Sequence, residues 1–297
     1  LKQAMWAVGM PSSHSAFFTS LLITIGIVEG INSAVFAVAL LFSLAYVYDM
    51  ILVFNVINDN FLALFPNVNY VVSNTTGVDD IQTSRDVQVV NLDPAEIEHV
   101  TATAEFSLAL LLSLVRKIPF IDADNVADRK AYRGSQLSGL HLGIIGLGRL
   151  GRKMARFAEA LDMKWSSFDK DASEAEREKL FRESDLISIH IPLLENTVDF
   201  VSFEEFAMME RQPYVINSSR PQIINKPALL DALDRDLIKG LAMDFINYDA
   251  SSEWDSELNK YQGDKLLLTP HIAGNTHESI AYTAEVVLSK WLSLILD

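Results

Sequence analysis

The glycine-rich segment from Leu142 to Gly151, which reads LGIIGLGRLG, constrains the fold of this chain more than any other feature. An apolar run, Leu142–Ile145, precedes its glycines, and a helical pattern from about Arg149 to Leu161 follows them. This is the context that the G-x-G-x-x-G motif requires. The segment therefore predicts a β-strand, a tight turn and the start of an α-helix.

The three glycines of this motif serve different physical needs. Gly146 permits the turn, Gly148 lets the backbone approach a pyrophosphate group, and Gly151 lets helix and strand pack closely. The helix N-terminus would supply N–H groups for phosphates. The next predicted strand ends at Asp169, 23 residues after Gly146, where a carboxylate can accept both ribose hydroxyls and repels a 2′-phosphate. The motif therefore predicts NAD; the alternative is an ordinary strand–turn–helix with packing glycines.

Strand and helix patterns alternate along the chain after residue 60. Further strands are predicted over Asn69–Ser73, Val87–Leu92, Lys164–Phe168, Leu186–Ile191, Tyr214–Asn217, Gly240–Met243 and Leu266–Leu268. Further helices are predicted over Thr101–Lys117, which Pro119 stops, and Glu278–Leu296. This alternation predicts an α/β fold made of βαβ units, with a doubly wound, mostly parallel sheet of the Rossmann type.

Three polar stretches follow predicted strands. Arg220 comes directly after one strand and could hold a carboxylate bidentately, and His271 follows another as a candidate general acid/base. Between them lies Ala242–Asp249. A surface arginine, a hydrogen-bonded loop histidine and solvated aspartates are the alternative interpretations. Ligands bind at the carboxyl ends of strands in doubly wound sheets, which favours a shared site.

Composition excludes several other classes of function. The chain has 297 residues, of which 39 are acidic and 24 basic, so its net charge is −15. Nucleic acid requires clustered Lys and Arg, and this balance argues against it as a partner. The chain contains no cysteine, which removes disulfides, thiolate nucleophiles and the common zinc sites. We therefore predict no metal site, and a cytoplasmic location.

The first 60 residues differ from the rest, because they carry only Lys2, Glu29, Asp49 and Asp59 as charges. Within them, residues 16–28 and 33–57 are apolar runs, and the second is long enough to cross a bilayer. Two interpretations stay open, a pair of buried core helices and membrane contact through residues 16–57.

Six stretches, in order, resemble the D-isomer-specific 2-hydroxyacid dehydrogenase family. They are Thr76–Asp79, Val100–Glu105, Gly143–Gly151, Ser184–Pro192, Asn217–Arg220 and Thr269–Gly274. The resemblance extends from about residue 66 to 292, three-quarters of the chain. It implies an NAD-dependent enzyme that moves a hydride between nicotinamide and a small D-2-hydroxy acid or 2-oxo acid, and a homodimer.

The same resemblance implies roles for individual residues. Arg220 would bind and polarise the 2-oxo acid, and His271 would exchange a proton with the substrate oxygen. Backbone N–H groups at Thr76 and Gly77 would hold the substrate carboxylate. The implied NAD contacts are Gly146, Gly148, Arg149, Leu150, Gly151, Asp169, His190, Pro192, Thr197, Ser218, Asp244 and Gly274.

The chain departs from the family at two places in the site. Asp249 stands where the family has a glutamate that pairs with the catalytic histidine, and its side chain is one methylene shorter. It can still favour the imidazolium electrostatically. Pro221-Gln222 follow Arg220 where a glycine is usual, and proline fixes φ and removes an N–H, so we expect a reshaped loop.

The front end resembles a different family. Residues 9–16, 30–39 and 46–49 are similar to divergent membrane proteins related to PAP2-type acid phosphatases and vanadium haloperoxidases. His14 alone cannot perform phosphoryl transfer, because the partner motifs of that family are missing. The chain is thus predicted to be a fusion: an apolar helical segment over 1–57, a truncated flavodoxin-like substrate domain over 58–97 and 276–297, and an NAD-binding domain over 98–275.

Two functions follow from these observations. The first is an NAD-dependent D-2-hydroxyacid dehydrogenase. The alternative is an NAD-binding scaffold or sensor with little or no turnover, either free or membrane-attached, which Asp249 and the replaced front end favour. Intact Arg220 and His271 favour the dehydrogenase.

Overall fold

A computed structural model describes residues 57–63, 68–121, 127, 129–244, 257–261, 263 and 265–296. They fall into two compact units: residues 57–63, 68 and 80–85 belong to the smaller one, and the others to the larger one. The apolar segment predicted over residues 1–57 lies outside the described residues, apart from its last position.

The strands in chain order are β1 (Ile57–Asn58), β2 (Tyr70–Val72), β3 (Ile81–Gln82), β4 (Gln88–Val90), β5 (His141–Ile145), β6 (Lys164–Phe168), β7 (Leu186–Ile189), β8 (Tyr214–Asn217), β9 (Gly240–Met243) and β10 (Leu266–Leu268). The helices are α1 (Asp59–Leu62), α2 (Ala102–Val115), α3 (Arg149–Ala160), α4 (Glu174–Glu183), α5 (Phe203–Met208), α6 (Lys226–Asp234) and α7 (His277–Leu296). Short 3₁₀ turns cover Ile118–Phe120, Glu195–Thr197, Pro221–Ile223 and Asn259–Tyr261.

The smaller unit contains β1, α1 and β3. Strands β1 and β3 pair in parallel, with Ile57 opposite Ile81. Asp59 begins α1 and accepts hydrogen bonds from the backbone and hydroxyl of Ser84. These hydrogen bonds hold the two segments of the unit together.

The larger unit is built on a six-stranded parallel sheet with the order β10-β9-β8-β7-β5-β6. Two clusters of buried apolar side chains form the core. One includes Phe181 of α4, Phe206 of α5 and Leu229 of α6, and the other includes Leu111 of α2 and Met154 of α3. Helices therefore cover both faces, and the predicted doubly wound α/β class is confirmed.

The strand order places a topological switch point in this sheet. Strand β5 lies between β6 and β7, so the chain leaves β5 toward one edge and later returns to its other side. Ligands of doubly wound sheets bind at the carboxyl ends of the strands beside such a point. The loop after β5, which begins at Gly146, is therefore at the expected position.

A separate two-stranded sheet, β2 paired in parallel with β4, packs against α7. Val90 and Val287 are buried at this contact, and Lys290 of α7 donates a 2.9 Å hydrogen bond to the backbone carbonyl of Asn91. Among the described helices, α7 alone is long and apolar enough to cross a membrane by length and composition. Packing of α7 on the small sheet buries part of the apolar surface of this helix.

Most element bounds agree with the sequence patterns within a few residues. The helix predicted over Thr101–Lys117 runs from Ala102 to Val115, and a 3₁₀ turn containing Pro119 follows it. Proline lacks the N–H that another helical turn would need. Helix α7 begins at His277, one residue before its predicted start.

Candidate active site

The loop between β5 and α3 depends on glycine at two positions. Gly146 has a φ of +92°, in the region that only glycine enters without strain. A Cβ on Gly151 would lie 2.0 Å from the carbonyl oxygen of Gly146. The absence of both side chains therefore lets α3 pack directly against the turn.

Gly148 is different, because it faces open space. A Cβ at this position would meet none of the described atoms within 4 Å. Gly148 is also the N-cap of α3 and, as a glycine, has no side chain that could occupy the helix N-terminus. Since a helix N-terminus carries unpaired N–H groups and a positive dipole end, this surface fits a pyrophosphate.

Asp169 lies next to the same loop, directly after β6. One carboxylate oxygen, Oδ2, accepts a 3.0 Å hydrogen bond from the backbone N–H of Leu147, and Oδ1 accepts one of 2.8 Å from Lys170. The residue is exposed, so lone pairs of both oxygens stay accessible to ribose hydroxyls. The carboxylate thus lies beside the glycine loop, and its role as an NAD ribose partner stays a prediction.

His190 follows β7, and its backbone carbonyl borders Gly146. Its Nε2 is 2.7 Å from the hydroxyl of Ser188, while Nδ1 is buried with no hydrogen-bond partner among the described residues. The residue as a whole is partly exposed, but the ring is enclosed, and burial lowers its pKa to about 4. His190 is therefore neutral at neutral pH.

The other predicted NAD residues make structural contacts around the loop. Arg149 donates a 2.6 Å hydrogen bond to the carbonyl of Val100, and Leu150, in the first turn of α3, packs against the core. The hydroxyl of Thr197 donates to the carbonyl of Pro192, at 2.7 Å. The hydroxyls of Ser218 and Ser107 are 2.7 Å apart and buried, and Gly274 lies near Thr103.

Asp244 has a role that the sequence did not predict. Its buried carboxylate accepts hydrogen bonds from the Thr269 hydroxyl at 2.6 Å and from the backbone N–H groups of Ile272 and Ala273 at 3.0 and 2.6 Å. These groups flank His271, which is exposed and has a φ of +53°. Asp244 thus holds the loop that carries the histidine in an uncommon backbone conformation.

Arg220 forms a bidentate ion pair with Asp79. Its Nε and Nη2 donate to the two carboxylate oxygens at 2.8 and 2.9 Å, and Nη1 donates to the carbonyl of Ser219 at 3.1 Å. Burial raises the pKa of Asp79, but hydrogen bonding to Arg220 and the positive charges of Arg220 and His271 lower it further, so the net pKa is below its usual value. Asp79 therefore interacts with both residues predicted to be catalytic.

The loop before Asp79 uses three consecutive backbone carbonyls as hydrogen-bond acceptors. The carbonyl of Thr75 accepts from the N–H of Leu92, that of Thr76 from the Asn91 side chain, and that of Gly77 from the Thr75 hydroxyl. In a trans peptide the N–H points away from the carbonyl. The N–H groups of Thr76, Gly77 and Val78 consequently each point away from the partner of the preceding carbonyl, and those of Thr76 and Gly77 are the ones predicted to hold a carboxylate.

The two departures from the family, at Asp249 and at Pro221, have different outcomes. Asp249 lies outside the described residues, so its role toward His271 stays a prediction. Pro221 is buried and begins a 3₁₀ turn directly after Arg220, which is a regular path for a chain with proline at that position. The loop therefore continues without displacing Arg220 from the end of β8.

Comparison with known proteins identifies the family. Residues 108–273 match the family model described as D-isomer specific 2-hydroxyacid dehydrogenase, NAD binding domain. The glyoxylate reductase of Thermococcus litoralis is 30% identical over 248 residues, which cover 75% of this chain and 72% of that protein. The chain belongs to the D-isomer specific 2-hydroxyacid dehydrogenase family. Its cofactor, as predicted, is NAD.

Other members of the dehydrogenase family agree with this assignment. The D-3-phosphoglycerate dehydrogenase of Archaeoglobus fulgidus is 32% identical over 220 residues, 68% of this chain but only 41% of that protein. A solved structure, D-lactate dehydrogenase from Aquifex aeolicus complexed with NAD and lactic acid, has a TM-score of 0.68 at 23% identity and covers 80% of this chain and 79% of its own. This structural likeness confirms the fold.

The front end matches another family, as its sequence predicted. Residues 1–59 match the model of the divergent PAP2 family. The chain therefore joins a segment of that family to a member of the dehydrogenase family. The two resemblances are confirmed.

The glycine loop yields a matched pair of mutations. We expect Gly148→Ala to weaken NADH binding at least about tenfold with little change in thermal stability, because the methyl group enters the space a pyrophosphate needs. Gly151→Ala should instead lower the free energy of unfolding by about 1–3 kcal/mol, because its methyl group meets the Gly146 carbonyl. Fluorescence titration with NADH and thermal denaturation measure both effects. Wild-type affinity in Gly148→Ala would contradict this interpretation.

The buried imidazole of His190 predicts a pH dependence of stability. Its pKa is about 4 in the folded protein and about 6.5 in an unfolded chain, so the unfolded state binds more protons between these values. Stability should therefore be complete above pH 6.5 and fall as the pH drops toward 4, by no more than about 3 kcal/mol from this group. Urea unfolding of the NAD-free protein should show a smaller loss over this interval in His190→Gln, and equal losses in the two proteins would refute the prediction.

Proposed function

We propose that this protein is an NAD-dependent oxidoreductase that interconverts a small D-2-hydroxy acid and its 2-oxo acid. The observation that carries the proposal is the bidentate ion pair between Arg220 and Asp79, a carboxylate whose pKa the positive charge of His271 also lowers. The ion pair holds a fixed guanidinium at the loop that follows β2, within electrostatic range of the His271 imidazole. This loop also presents backbone N–H groups suited to a carboxylate.

The chain's own residues would perform the positioning and the proton transfer. Arg220 would bind the substrate carboxylate and polarise its 2-oxo group, and the N–H groups of Thr76 and Gly77 would complete carboxylate binding. His271 would give a proton to the substrate oxygen during reduction and accept one during oxidation. When bound along the glycine loop and Asp169, NAD supplies the hydride acceptor, and its reduced form the hydride donor.

Asp249 is proposed to favour the protonated form of His271. An aspartate reaches less far than the family's glutamate, so its effect would come through charge at a distance. Asp79 already provides a carboxylate whose pKa responds to the positive charge of His271. The negative charge of Asp79 can therefore also stabilise the protonated form of His271.

The substrate is proposed to be a small unphosphorylated acid. The net charge of −15 gives no general attraction for a phosphorylated substrate. Arg220 places one cation at the loop of Thr76 and Gly77, since a Cβ on Gly77 would lie 2.7 Å from its Nη2. Glyoxylate and hydroxypyruvate are the class that such a single-arginine site suits.

NADH oxidation at neutral pH tests this function. The full chain is assayed with hydroxypyruvate, glyoxylate, pyruvate and 3-phosphohydroxypyruvate, beside a His271→Asn variant. Turnover that is strong in the wild type and lost in the variant is the expected result. If NADH stabilises the wild type against heat but the wild type reduces none of the four acids, the dehydrogenase function is wrong. The NAD-binding scaffold is then the function that the results support.

Location and assembly belong to the same proposal. We propose a cytoplasmic catalytic part over residues 98–275 with the substrate-domain remnant at 58–97 and 276–297, arranged as a homodimer. The match of residues 1–59 to a family of membrane proteins supports membrane contact through residues 16–57. Flotation of the full chain with liposomes, compared with a chain starting at residue 58, distinguishes a membrane-attached enzyme from an unattached one.

A further inference from the structure

The ion pair between Asp79 and Arg220 joins two segments that are 141 residues apart in the chain. Both side chains are partly buried, with exposed fractions of 34% and 23%. Paired guanidinium and carboxylate forks are among the strongest and most directional polar contacts in proteins. The orientation of Arg220 is thus determined by the substrate-side loop as well as by β8.

The geometry leaves part of the guanidinium available. Arginine has five N–H donors, and three of them point to Asp79 and to the carbonyl of Ser219. Within the described part of the chain, one N–H on each of Nη1 and Nη2 remains for a ligand. Asp79 occupies the side formed by Nε and Nη2, and the remaining N–H groups can meet a carboxylate or a carbonyl.

Gly77 shows how closely this pair is built into the loop. A Cβ on Gly77 would lie 2.7 Å from Nη2 of Arg220 and 3.1 Å from Oδ1 of Asp79. Glycine thus permits the guanidinium to lie against the backbone that presents the N–H groups of the loop. The ion pair consequently lies directly against the loop at Gly77.

We propose that Asp79 is a positioning residue that holds Arg220 in the orientation that binds the carboxylate of a 2-oxo acid. This proposal rests on the proposed function, because it assigns a second carboxylate to the same site. An arginine side chain has large rotamer entropy, which is lost when the residue binds a ligand. The ion pair with Asp79 removes that freedom before the substrate arrives, so substrate affinity depends on it.

The charge state of Asp79 supports this role. The guanidinium hydrogen bond and the positive charges of Arg220 and His271 outweigh burial and lower its pKa. The carboxylate is therefore ionised at neutral pH and accepts both hydrogen bonds. An asparagine of the same shape offers only one acceptor oxygen and no charge.

Two measurements on Asp79→Asn test the proposal. We expect its KM for the best 2-oxo acid to rise at least about tenfold with a smaller change in kcat, because binding of the carboxylate is affected first. The dissociation constant for oxamate, measured by calorimetry on the NADH-loaded protein, should rise by a similar factor. Asp79→Glu should recover part of both losses, and Asp231→Asn, which removes an exposed partner of Arg235, should change neither.

The outcomes separate this inference from the proposed function. If the wild type turns over 2-oxo acids and Asp79→Asn has unchanged KM and oxamate affinity, the positioning role is wrong and the dehydrogenase stands. Tighter oxamate binding in the variant would also refute it and would make Asp79 a competitor for Arg220. If the wild type turns over none of the acids but binds oxamate in an Asp79-dependent way, the positioning role stands without the activity. A wild type that neither turns over any of the acids nor binds oxamate overturns both.

Discussion

Replacement of His271 by Asn is expected to lower kcat for 2-oxo acid reduction by about 10² to 10⁴, the contribution typical of a general acid/base. Asparagine tolerates the left-handed backbone conformation that His271 adopts, with φ at +53°, better than most residues do. The contacts of Asp244 to the flanking backbone do not involve the His271 side chain. The loss should therefore come from the missing proton donor.

The measurement is steady-state NADH oxidation, together with NADH affinity and thermal stability. Both of the latter should stay near their wild-type values in His271→Asn, because Asp244 keeps the loop in place. His277→Gln is a matched control, since His277 is also exposed but begins α7. Retention of more than about one-tenth of wild-type kcat in His271→Asn would remove the histidine from the proton-transfer role.

Local sequence predicted the fold because each element carries its own signal. Strands β5, β7 and β9 are short apolar runs and are fully or almost fully buried. Helix α4 begins at a capping box, where Ser173 accepts from the N–H of Glu176, a local pattern that needs no knowledge of the rest of the chain. The glycine loop combines a strand, a turn and a helix within ten residues, so its geometry follows from its sequence.

The cooperation between site residues could not be predicted in this way. Arg220 and Asp79 are 141 residues apart, and no local spacing indicates that a loop carboxylate will meet that arginine. Thr76–Asp79 was recognised as a family stretch, but only its backbone was assigned a role. Asp244 was predicted to contact NAD, which stays a prediction, and no local spacing indicates that its oxygens also accept hydrogen bonds from the His271 loop. These contacts depend on how β8, β9 and β10 end at one edge of the sheet.

The largest expected change in stability comes from an ion pair far from the proposed chemistry. Arg177 of α4 donates to Glu205 of α5, and their side chains are only 16% and 3% exposed. Glu205 also accepts a 2.6 Å hydrogen bond from the N–H of Ser202 at the start of α5. The guanidinium carbon of Arg177 lies 5.6 Å from the ring centre of Phe200, so the pair connects two helices inside an apolar environment.

Glu205→Ala should lower the free energy of unfolding by about 3–5 kcal/mol, because it leaves the charge of Arg177 without its buried partner. Glu210→Ala is the matched control. Glu210 pairs with Arg182, which lies on α4 as Arg177 does, but the Glu210 side chain is 60% exposed. Exposed pairs contribute no more than about 1 kcal/mol. Urea unfolding measures the loss of unfolding free energy in both variants. Similar small losses in both would show that burial of the Glu205 pair does not make it more important for stability than an exposed pair.

A double variant distinguishes the net contribution of the ion pair to stability from the destabilisation caused by leaving one of its charges buried and unpaired. In Arg177→Met, Glu205→Leu no charge is left buried, and apolar side chains of similar volume can fill the space near Phe200. Replacement of a whole buried pair by apolar residues is often neutral or stabilising. We therefore expect the double variant to be more stable than Glu205→Ala by about 2 kcal/mol or more. If the double variant is as unstable as Glu205→Ala, the loss of stability comes mainly from the missing hydrogen bond between Ser202 and Glu205. The unpaired charge of Arg177 would then contribute little to it.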